Sequence, residues 1–185
     1  MRCTTRNGVT KASSVLLVVA ALTGSLLAGA GSGAAAQGAA SRRVPVAPCT
    51  NDRLVADGAQ RVGSSQVRIT VSNEGPTPCV LMGFPTVALA GQGPPDRNKP
   101  LDAVRQGTAE PVRLAVGGRA STQLSFTPVL GEADGYCASG ATPSIAPSIV
   151  LGVGGAGQQL APDDGGGFAL CGNSVRVTAF RAAGS

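Results

Sequence analysis

The residues of this sequence that could carry chemistry are its cysteines and carboxylates, because none of the 185 residues is histidine. Neither a Ser-His-Asp nor a Cys-His catalytic arrangement can form without histidine. Two acidic pairs, Glu132 with Asp134 and Asp163 with Asp164, have the side chains that glycoside hydrolysis uses, and the second pair has oxygens of the kind that bind calcium. Both pairs lie in polar segments typical of solvated turns, so we expect no catalytic residue and no metal site.

Five cysteines occur, and Cys3 lies in a segment that we expect to be removed. The other four are Cys49, Cys79, Cys137 and Cys171, with spacings of 30, 58 and 34 residues. No C-x-x-C pair is present, which argues against a metal site. An even number of cysteines in an exported chain indicates two disulfides, and four cysteines allow three pairings. We predict Cys49–Cys79 and Cys137–Cys171, because neighbours in the sequence close the shorter loops.

The segment Gly152–Gly157 reads G-x-G-x-x-G, which is the pattern of a dinucleotide-binding turn. That function requires a helix directly after the pattern, within a parallel strand–helix–strand unit. The chain instead continues through Pro162 into further glycines, without helical periodicity. We therefore predict a flexible hairpin loop at this position and no cofactor.

The segment Gly91–Thr108 is long, polar and rich in proline, so it is predicted to be a surface loop. Long surface loops often carry function, and Arg97, Lys99 and Arg105 could meet an anionic partner such as a wall polymer. The alternative is a solvated loop that binds nothing. These three cations are the candidate binding residues of the sequence.

The elements that would position these residues begin after a leader. Three basic residues precede an apolar segment at 15–28, and Ala34–Ala36 fits a cleavage site, so residues 1–36 are predicted to be a secretory signal peptide. A retained membrane anchor is the alternative, since the uncharged segment is long enough to span a bilayer. We expect a secreted, extracytoplasmic protein, with membrane contact only if the leader is kept.

Charge and length describe what remains after the leader. The whole chain has 15 basic and 10 acidic residues, and the leader holds three of the basic ones, so the mature part has a net charge of only +2. A nucleic-acid-binding surface would need a clustered basic face with aromatic residues, and none is expected. Residues 37–48 are predicted to be a flexible lead-in, and residues 49–182 a single domain.

Short alternating segments predict strands and no helix. Gln66–Ser72 alternates apolar and polar residues, as does Ser174–Phe180. Gly117-Gly118, between two alternating runs, predicts a hairpin over residues 111–127 with a two-residue turn. The sequence therefore indicates an all-β fold, an antiparallel immunoglobulin-like β-sandwich of about seven strands with two disulfides. Antibody domains carry a tryptophan on their third strand, and this chain contains none. We therefore predict the arrangement of strands and not membership of the antibody family.

The same landmarks resemble a family of secreted actinobacterial domains, the domain of unknown function 4232. The matching features are Cys49, Asn73-x-Gly75, Cys79-x-Leu81-x-Gly83-x-Pro85, Leu114-x-x-Gly117-Gly118-x-Ala120, and a late cysteine before a last strand. The resemblance covers about Cys49 to Phe180. It implies an exported, disulfide-bonded β domain, and it brings no catalytic residues.

We expect a non-catalytic module, monomeric, that binds another protein or a cell-envelope polymer through its loops. Two alternatives stay open. One is a small secreted hydrolase with Glu132 and Asp134 as its acid and base, although one tyrosine, four phenylalanines and no tryptophan offer little for stacking sugars. The other is a protease inhibitor that presents a loop to its target.

Overall fold

β-Strands make up almost all of the regular structure of the chain. The computed structural model describes residues 45–91, 97–131 and 135–184. A short 3-10 helix at Asn51–Arg53 precedes the first strand. The strands are β1 (Leu54–Ala56), β2 (Gln60–Gly63), β3 (Gln66–Asn73), β4 (Cys79–Leu81), β5 (Thr86–Ala90), β6 (Lys99–Pro100), β7 (Asp102–Gln106), β8 (Val112–Leu114), β9 (Arg119–Phe126), β10 (Ser144–Ala146), β11 (Ser148–Val153), β12 (Ala156–Leu160), β13 (Phe168–Leu170), β14 (Ser174–Thr178) and β15 (Arg181–Ala182). The predicted all-β class with two disulfides is confirmed.

The larger sheet has seven strands in the order β1-β3-β9-β14-β7, with β2 also paired to β3 and β15 to β9. Its neighbours run antiparallel with one exception. Strands β7 and β14 run parallel, in a register from Asp102 opposite Ser174 to Gln106 opposite Thr178. The parallel pair is possible because the chain between these strands is long enough to cross over, as parallel neighbours require.

The smaller sheet has four antiparallel strands in the order β12-β11-β5-β6. Two further antiparallel pairs, β4 with β8 and β10 with β13, lie outside the two larger sheets. Buried side chains from both larger sheets belong to one continuous core cluster. The two larger sheets therefore share one hydrophobic core, as the two layers of a β-sandwich do.

The core follows from the alternation in the sequence. In β3, Val67, Ile69 and Val71 are buried, whereas Arg68 between them is exposed. Full burial of each such aliphatic side chain contributes roughly 1.5–3 kcal/mol, which holds this strand in one register. Phe126 of β9 and Phe168 of β13 add aromatic rings to the same cluster, with ring centroids 5.8 Å apart.

Both disulfides lie at buried positions outside the two large sheets. Cys49 is bonded to Cys79 with Cα atoms 4.9 Å apart, and Cys137 is bonded to Cys171 with Cα atoms 5.6 Å apart. These are the two pairs with the shorter loops. Residues 45–48 run beside β4, where the amide of Val80 donates to the Ala47 carbonyl oxygen at 2.9 Å. The first disulfide thus fixes a segment that already pairs with β4.

The predicted hairpin over residues 111–127 is wrong. Strand β8 pairs with β4, whereas β9 pairs with β3 and β14 in the larger sheet. The Gly118 amide donates to the Ala115 carbonyl oxygen at 2.9 Å, and Gly117 has a φ of +72°. A glycine with positive φ at the third position is characteristic of a type II turn, whose twist separates flanking strands rather than pairing them. Gly117-Gly118 therefore carries the chain from one sheet to another.

A buried asparagine holds this corner together. Asn73 is fully buried, and its side-chain amide donates to the carbonyl oxygens of Thr77, Leu114 and Ala115 at 3.0, 3.4 and 3.1 Å. Its side-chain oxygen accepts from the Gly75 amide at 3.1 Å. One side chain therefore satisfies four backbone groups from two separate segments, and buried polar groups of this kind are costly when left without partners.

The predicted surface loop at 91–108 is wrong in part, because β6 and β7 lie within it. All five residues of β7 are exposed, so the strand has no apolar alternation from which it could have been recognised. Its register comes from pairing with β14 alone. Likewise, β12 lies within the glycine-rich stretch predicted to be a loop.

Gln158 in β12 joins the two sheets at one side of the sandwich. Its side-chain oxygen accepts from the Ala56 amide at 2.8 Å. Its side-chain nitrogen donates to the Leu54 carbonyl oxygen at 2.8 Å and to Asn51 Oδ1 at 3.0 Å. The edge strand β1 of the larger sheet is thereby tied to the edge strand β12 of the smaller sheet.

Replacing Gln158 with alanine is expected to lower the free energy of unfolding by about 1–3 kcal/mol, because two partly buried backbone groups lose their partners. The neighbouring Gln159 is a matched control. It is exposed and donates to Ser148 Oγ at 2.7 Å, so Gln159→Ala should cost less. Urea unfolding of both variants measures the difference. Equal destabilisation would contradict a bridging role for Gln158.

The leader and most of the predicted lead-in lie outside the described residues, so the signal peptide and its cleavage site stay predictions. Within residues 45–91, 97–131 and 135–184, no helix is long and apolar enough to cross a membrane. The alternative of a retained anchor concerns residues before this range.

Candidate functional site

The acidic pair Asp163 and Asp164 serves a structural role. Arg61 Nε donates to Asp164 Oδ2 at 2.6 Å, and the Arg61 backbone amide donates to Asp163 Oδ1 at 3.3 Å. The hydrogen bond from the Arg61 side chain, followed by one from the Gly166 amide, lowers the pKa of Asp164 below its usual value. A general acid needs the opposite shift, so this carboxylate is suited to pairing and not to proton donation.

The other acidic pair, Glu132 and Asp134, lies outside the described residues. Among the residues that the structure describes, no three histidine, cysteine, aspartate or glutamate side chains come close enough to hold a metal ion. The calcium interpretation of Asp163 and Asp164 therefore gains no further ligand from the described chain, since calcium needs six to eight oxygens.

The G-x-G-x-x-G segment is a β-hairpin. Gly154 and Gly155 have φ values of +60° and +92°, and they form the two-residue turn between β11 and β12. Positive φ at both central residues defines a primed hairpin turn. The predicted hairpin is confirmed, and its turn is shorter than the predicted loop because Ala156 already begins β12.

The outer face of the smaller sheet forms an open groove of about 570 Å³. The inward positions of β5 and β11 are buried, so the alternate positions face away from the core. These outward residues are small or apolar, and they form the floor of the groove: Thr86, Ala88, Val150, Gly152 and, from β12, Gly157. Met82, Phe84 and Pro100 lie along its sides.

Two glycines keep the floor of the groove open. A Cβ atom at Gly152 would stand 2.0 Å from Thr86 Oγ1, and one at Gly157 would stand 2.5 Å from Val150 Cγ1. Both distances are shorter than real carbon contacts, so side chains at these positions would push their neighbours aside. The groove therefore depends on glycine at two strand positions that lie opposite each other.

Among the described residues, no charged side chain lines the groove. Charge occurs only along one rim of the groove. The guanidinium carbon of Arg105 lies 5.5 Å from the centroid of the Phe84 ring, and Phe84 lines the groove. Lys99 precedes Pro100 in β6, and Pro100 also lines the groove. A guanidinium over a ring face is a favourable cation–π contact, worth about 0.5–1 kcal/mol when exposed.

The structure thus places the predicted cations unequally. Arg105 contacts a groove residue, Lys99 adjoins one, and Arg97 is exposed beside the undescribed residues 92–96. The groove itself was missed in the sequence. Its only signal was the occurrence of small residues at every second position of β5 and β11, which could have indicated a flat outer face.

These features define an all-β, two-disulfide domain whose described residues form a neutral groove and no metal-binding cluster. The chain matches the family described as Domain of unknown function (DUF4232) over residues 49–181, and it belongs to that family. Comparison with curated proteins and with solved structures gave no significant match.

Proposed function

We propose that this protein is a non-catalytic, extracytoplasmic binding module whose groove holds an extended segment of a partner protein. The observation that carries the proposal is the neutral, glycine-floored groove of about 570 Å³ with Arg105 at its rim. This volume lies within the range typical of ligand sites, about 300–1,000 Å³. The groove lies on paired strands, which give a rigid base of the kind that binding surfaces need.

The lining favours a peptide over a sugar polymer. Sugars commonly stack on open aromatic faces, and the groove has two phenylalanines. Phe84 lies under the Arg105 guanidinium, and Phe180 is buried. A peptide can place small apolar side chains on the floor and an acidic side chain near Arg105 or Lys99. The ligand proposed is therefore an extended peptide with apolar residues and at least one carboxylate.

The proposed location rests on the cysteines. All four cysteines of residues 45–184 are paired, and stable disulfides are typical of oxidising compartments. A domain with two disulfides would stay folded outside the cytoplasm without a cofactor. The predicted leader supports the same location.

Met82 offers a direct test of the groove, because its side chain is 66% exposed and lies at the groove. A photo-reactive amino acid at position 82 should crosslink to a partner peptide that mass spectrometry can sequence. The same probe at Ile145, which is 69% exposed and lies outside the groove, is the control. Equal crosslinking at both positions, or crosslinking to glycan alone, would contradict the proposal.

Filling the groove should abolish binding of the identified peptide. Ala156 is exposed and lines the groove, so Ala156→Trp should weaken the affinity at least tenfold without changing the fold. Arg105→Gln should weaken it severalfold if the peptide carries the expected carboxylate. Fluorescence anisotropy with the labelled peptide measures both. Turnover of glycans that Glu132→Gln abolishes would instead support the hydrolase alternative.

A further inference from the structure

A second cleft lies on the other side of the sandwich, on the outer face of the larger sheet. Val67, Ile69, Val175 and Val177 face the core, so the residues between them point outward. Three arginines from three strands occupy this outer face or its rim: Arg68 in β3, Arg176 in β14 and Arg181 in β15. All three are exposed.

Strand register brings two of these arginines to either side of β9. Arg68 is the cross-strand partner of Gln123, and Arg181 is the partner of Ser121. Ser121 and Gln123 are two residues apart on one strand and therefore share a face. Together these residues line a cleft of about 200 Å³, whose lining is Arg68, Ser121, Thr122, Gln123, Thr178 and Arg181.

The floor of the cleft is fixed by hydrogen bonds. The Gln123 amide donates to Thr178 Oγ1 at 2.9 Å, and Thr122 Oγ1 donates to the Thr178 carbonyl oxygen at 2.7 Å. The Gln123 side-chain nitrogen donates to Gln66 Oε1 at 3.0 Å. Ser121 lies opposite Arg181 and two residues before Gln123, the partner of Arg68, so the floor offers polar groups in a rigid arrangement.

No carboxylate of the described residues lines this cleft. The ion pairs among those residues use other arginines, namely Arg53, Arg61 and Arg119. Glu110 shares a neighbouring cleft with Arg181 but does not form an ion pair with it within 4.0 Å in the described structure. Two arginines therefore line one small polar cleft without a neutralising acid among the described residues.

We propose that this cleft binds one phosphoryl group, either as a free phosphate or as part of a phosphate-bearing polymer. Guanidinium groups present planar pairs of donors that match phosphate oxygens, and the hydroxyl groups can donate to a third oxygen. A cleft of about 200 Å³ admits a phosphate with the atoms next to it and excludes larger groups from its floor. The site is separate from the groove, which lies on the other sheet.

Titration of the whole protein with inorganic phosphate, followed by backbone amide shifts in NMR, tests the site. We expect shifts concentrated at Ser121, Gln123 and Thr178. Arg68→Gln and Arg181→Gln should each weaken phosphate binding by about tenfold, because each removes a charge-assisted pair of hydrogen bonds. Arg181→Lys should fall between wild type and Arg181→Gln, since lysine keeps the charge and loses the fork.

Arg97→Gln is the matched control, because it removes the same charge from an exposed position outside the cleft. Unfolding midpoints of all variants establish that each is folded. Equal weakening by Arg97→Gln would show bulk charge attraction and overturn the proposal. Full displacement of the phosphate by sodium chloride at the same ionic strength would have the same meaning.

A poly(glycerol phosphate) chain distinguishes the two sources of the phosphoryl group. Binding of both probes with the same loss in Arg68→Gln indicates a site for any accessible phosphoryl group. If only the polymer binds, and Arg68→Gln weakens its binding, the site is assigned to polymer-borne phosphate. Equal binding of poly-glutamate would overturn the phosphoryl assignment, because carboxylates would then suffice.

Discussion

Replacement of Asn73 with alanine is expected to lower the free energy of unfolding by about 3 kcal/mol or more. The change removes the Asn73 partner of the Gly75 amide and of the Thr77 and Leu114 carbonyl oxygens, whereas the Ala115 carbonyl oxygen keeps the Gly118 amide. Each buried group that loses its hydrogen bond costs about 1–3 kcal/mol, and the costs are not fully additive. Urea unfolding followed by circular dichroism measures the loss.

Asn173→Ala is the control for the same side chain at an exposed position, where the amide makes one hydrogen bond of 3.5 Å to Asp102. It should change the stability by less than about 0.5 kcal/mol. A similar loss in both variants would mean that the corner at Asn73 is stabilised by its backbone alone.

Asn73→Asp gives the same corner a pH dependence. An aspartate keeps the acceptor for the Gly75 amide, but an ionised carboxylate would face three carbonyl oxygens in a buried position. This contact raises the pKa of the new carboxyl group above its unfolded value of about 3.9. The folded state then holds its proton to higher pH than the unfolded state. The variant should therefore lose stability relative to wild type as the pH rises from about 4 to about 7.

Removing the Cys137–Cys171 disulfide by a double alanine substitution is expected to destabilise the domain by about 3.5–4 kcal/mol. The bond closes a loop of 34 residues, and a loop of that length corresponds to this loss of unfolded-state entropy. Removing Cys49–Cys79, with a separation of 30 residues, should cost a similar amount. Small domains have total stabilities of about 5–15 kcal/mol, so the variant that lacks both bonds should be largely unfolded.

Two controls separate entropy from packing in this experiment. The single variants Cys137→Ala and Cys171→Ala should be as unstable as the double variant, because either one opens the loop. Wild-type protein in strong reductant should reach the same stability as the protein lacking both bonds. A change in stability below about 1 kcal/mol for the double variant would show that the unfolded chain is restrained by something other than this bond.

The sequence was sufficient for the class of fold because its strongest patterns are local. Val67, Ile69 and Val71 alternate with polar residues, and burial of the first set is what defines the face of β3. The cysteine pairs could be chosen on loop length because each pair closes a short loop with few competing partners. Both inferences use only residues that are near each other in the chain.

The parts that could not be predicted depend on distant residues. Gly117-Gly118 looks like a hairpin turn, but Asn73, more than forty residues earlier, takes the carbonyls before the turn and directs the chain to another sheet. Strand β7 has no apolar pattern and exists only because β14 pairs with it. Arg105 was recognised as a cation, yet its position over Phe84 follows from that same pairing.

The groove shows a further limit of sequence reasoning. Gly152 and Gly157 appear in the sequence as part of a glycine-rich, G-x-G-x-x-G segment, which predicts a loop. Their role comes from being opposite each other on paired strands, next to Thr86 and Val150. Sequence periodicity can predict that small residues face outward, but the concave shape depends on which strands become neighbours.

The position of β14 has a consequence for how the chain acquires its structure. This strand lies near the carboxyl end, yet it sits between β9 and β7, and β7 pairs with no other strand of the described chain. A polypeptide that emerges from a ribosome tunnel or an export channel cannot pair β7 with the larger sheet until residue 178 is free. Completion of the larger sheet is therefore expected to be a late step, and fragments that stop before Ser174 should be targets for proteolysis.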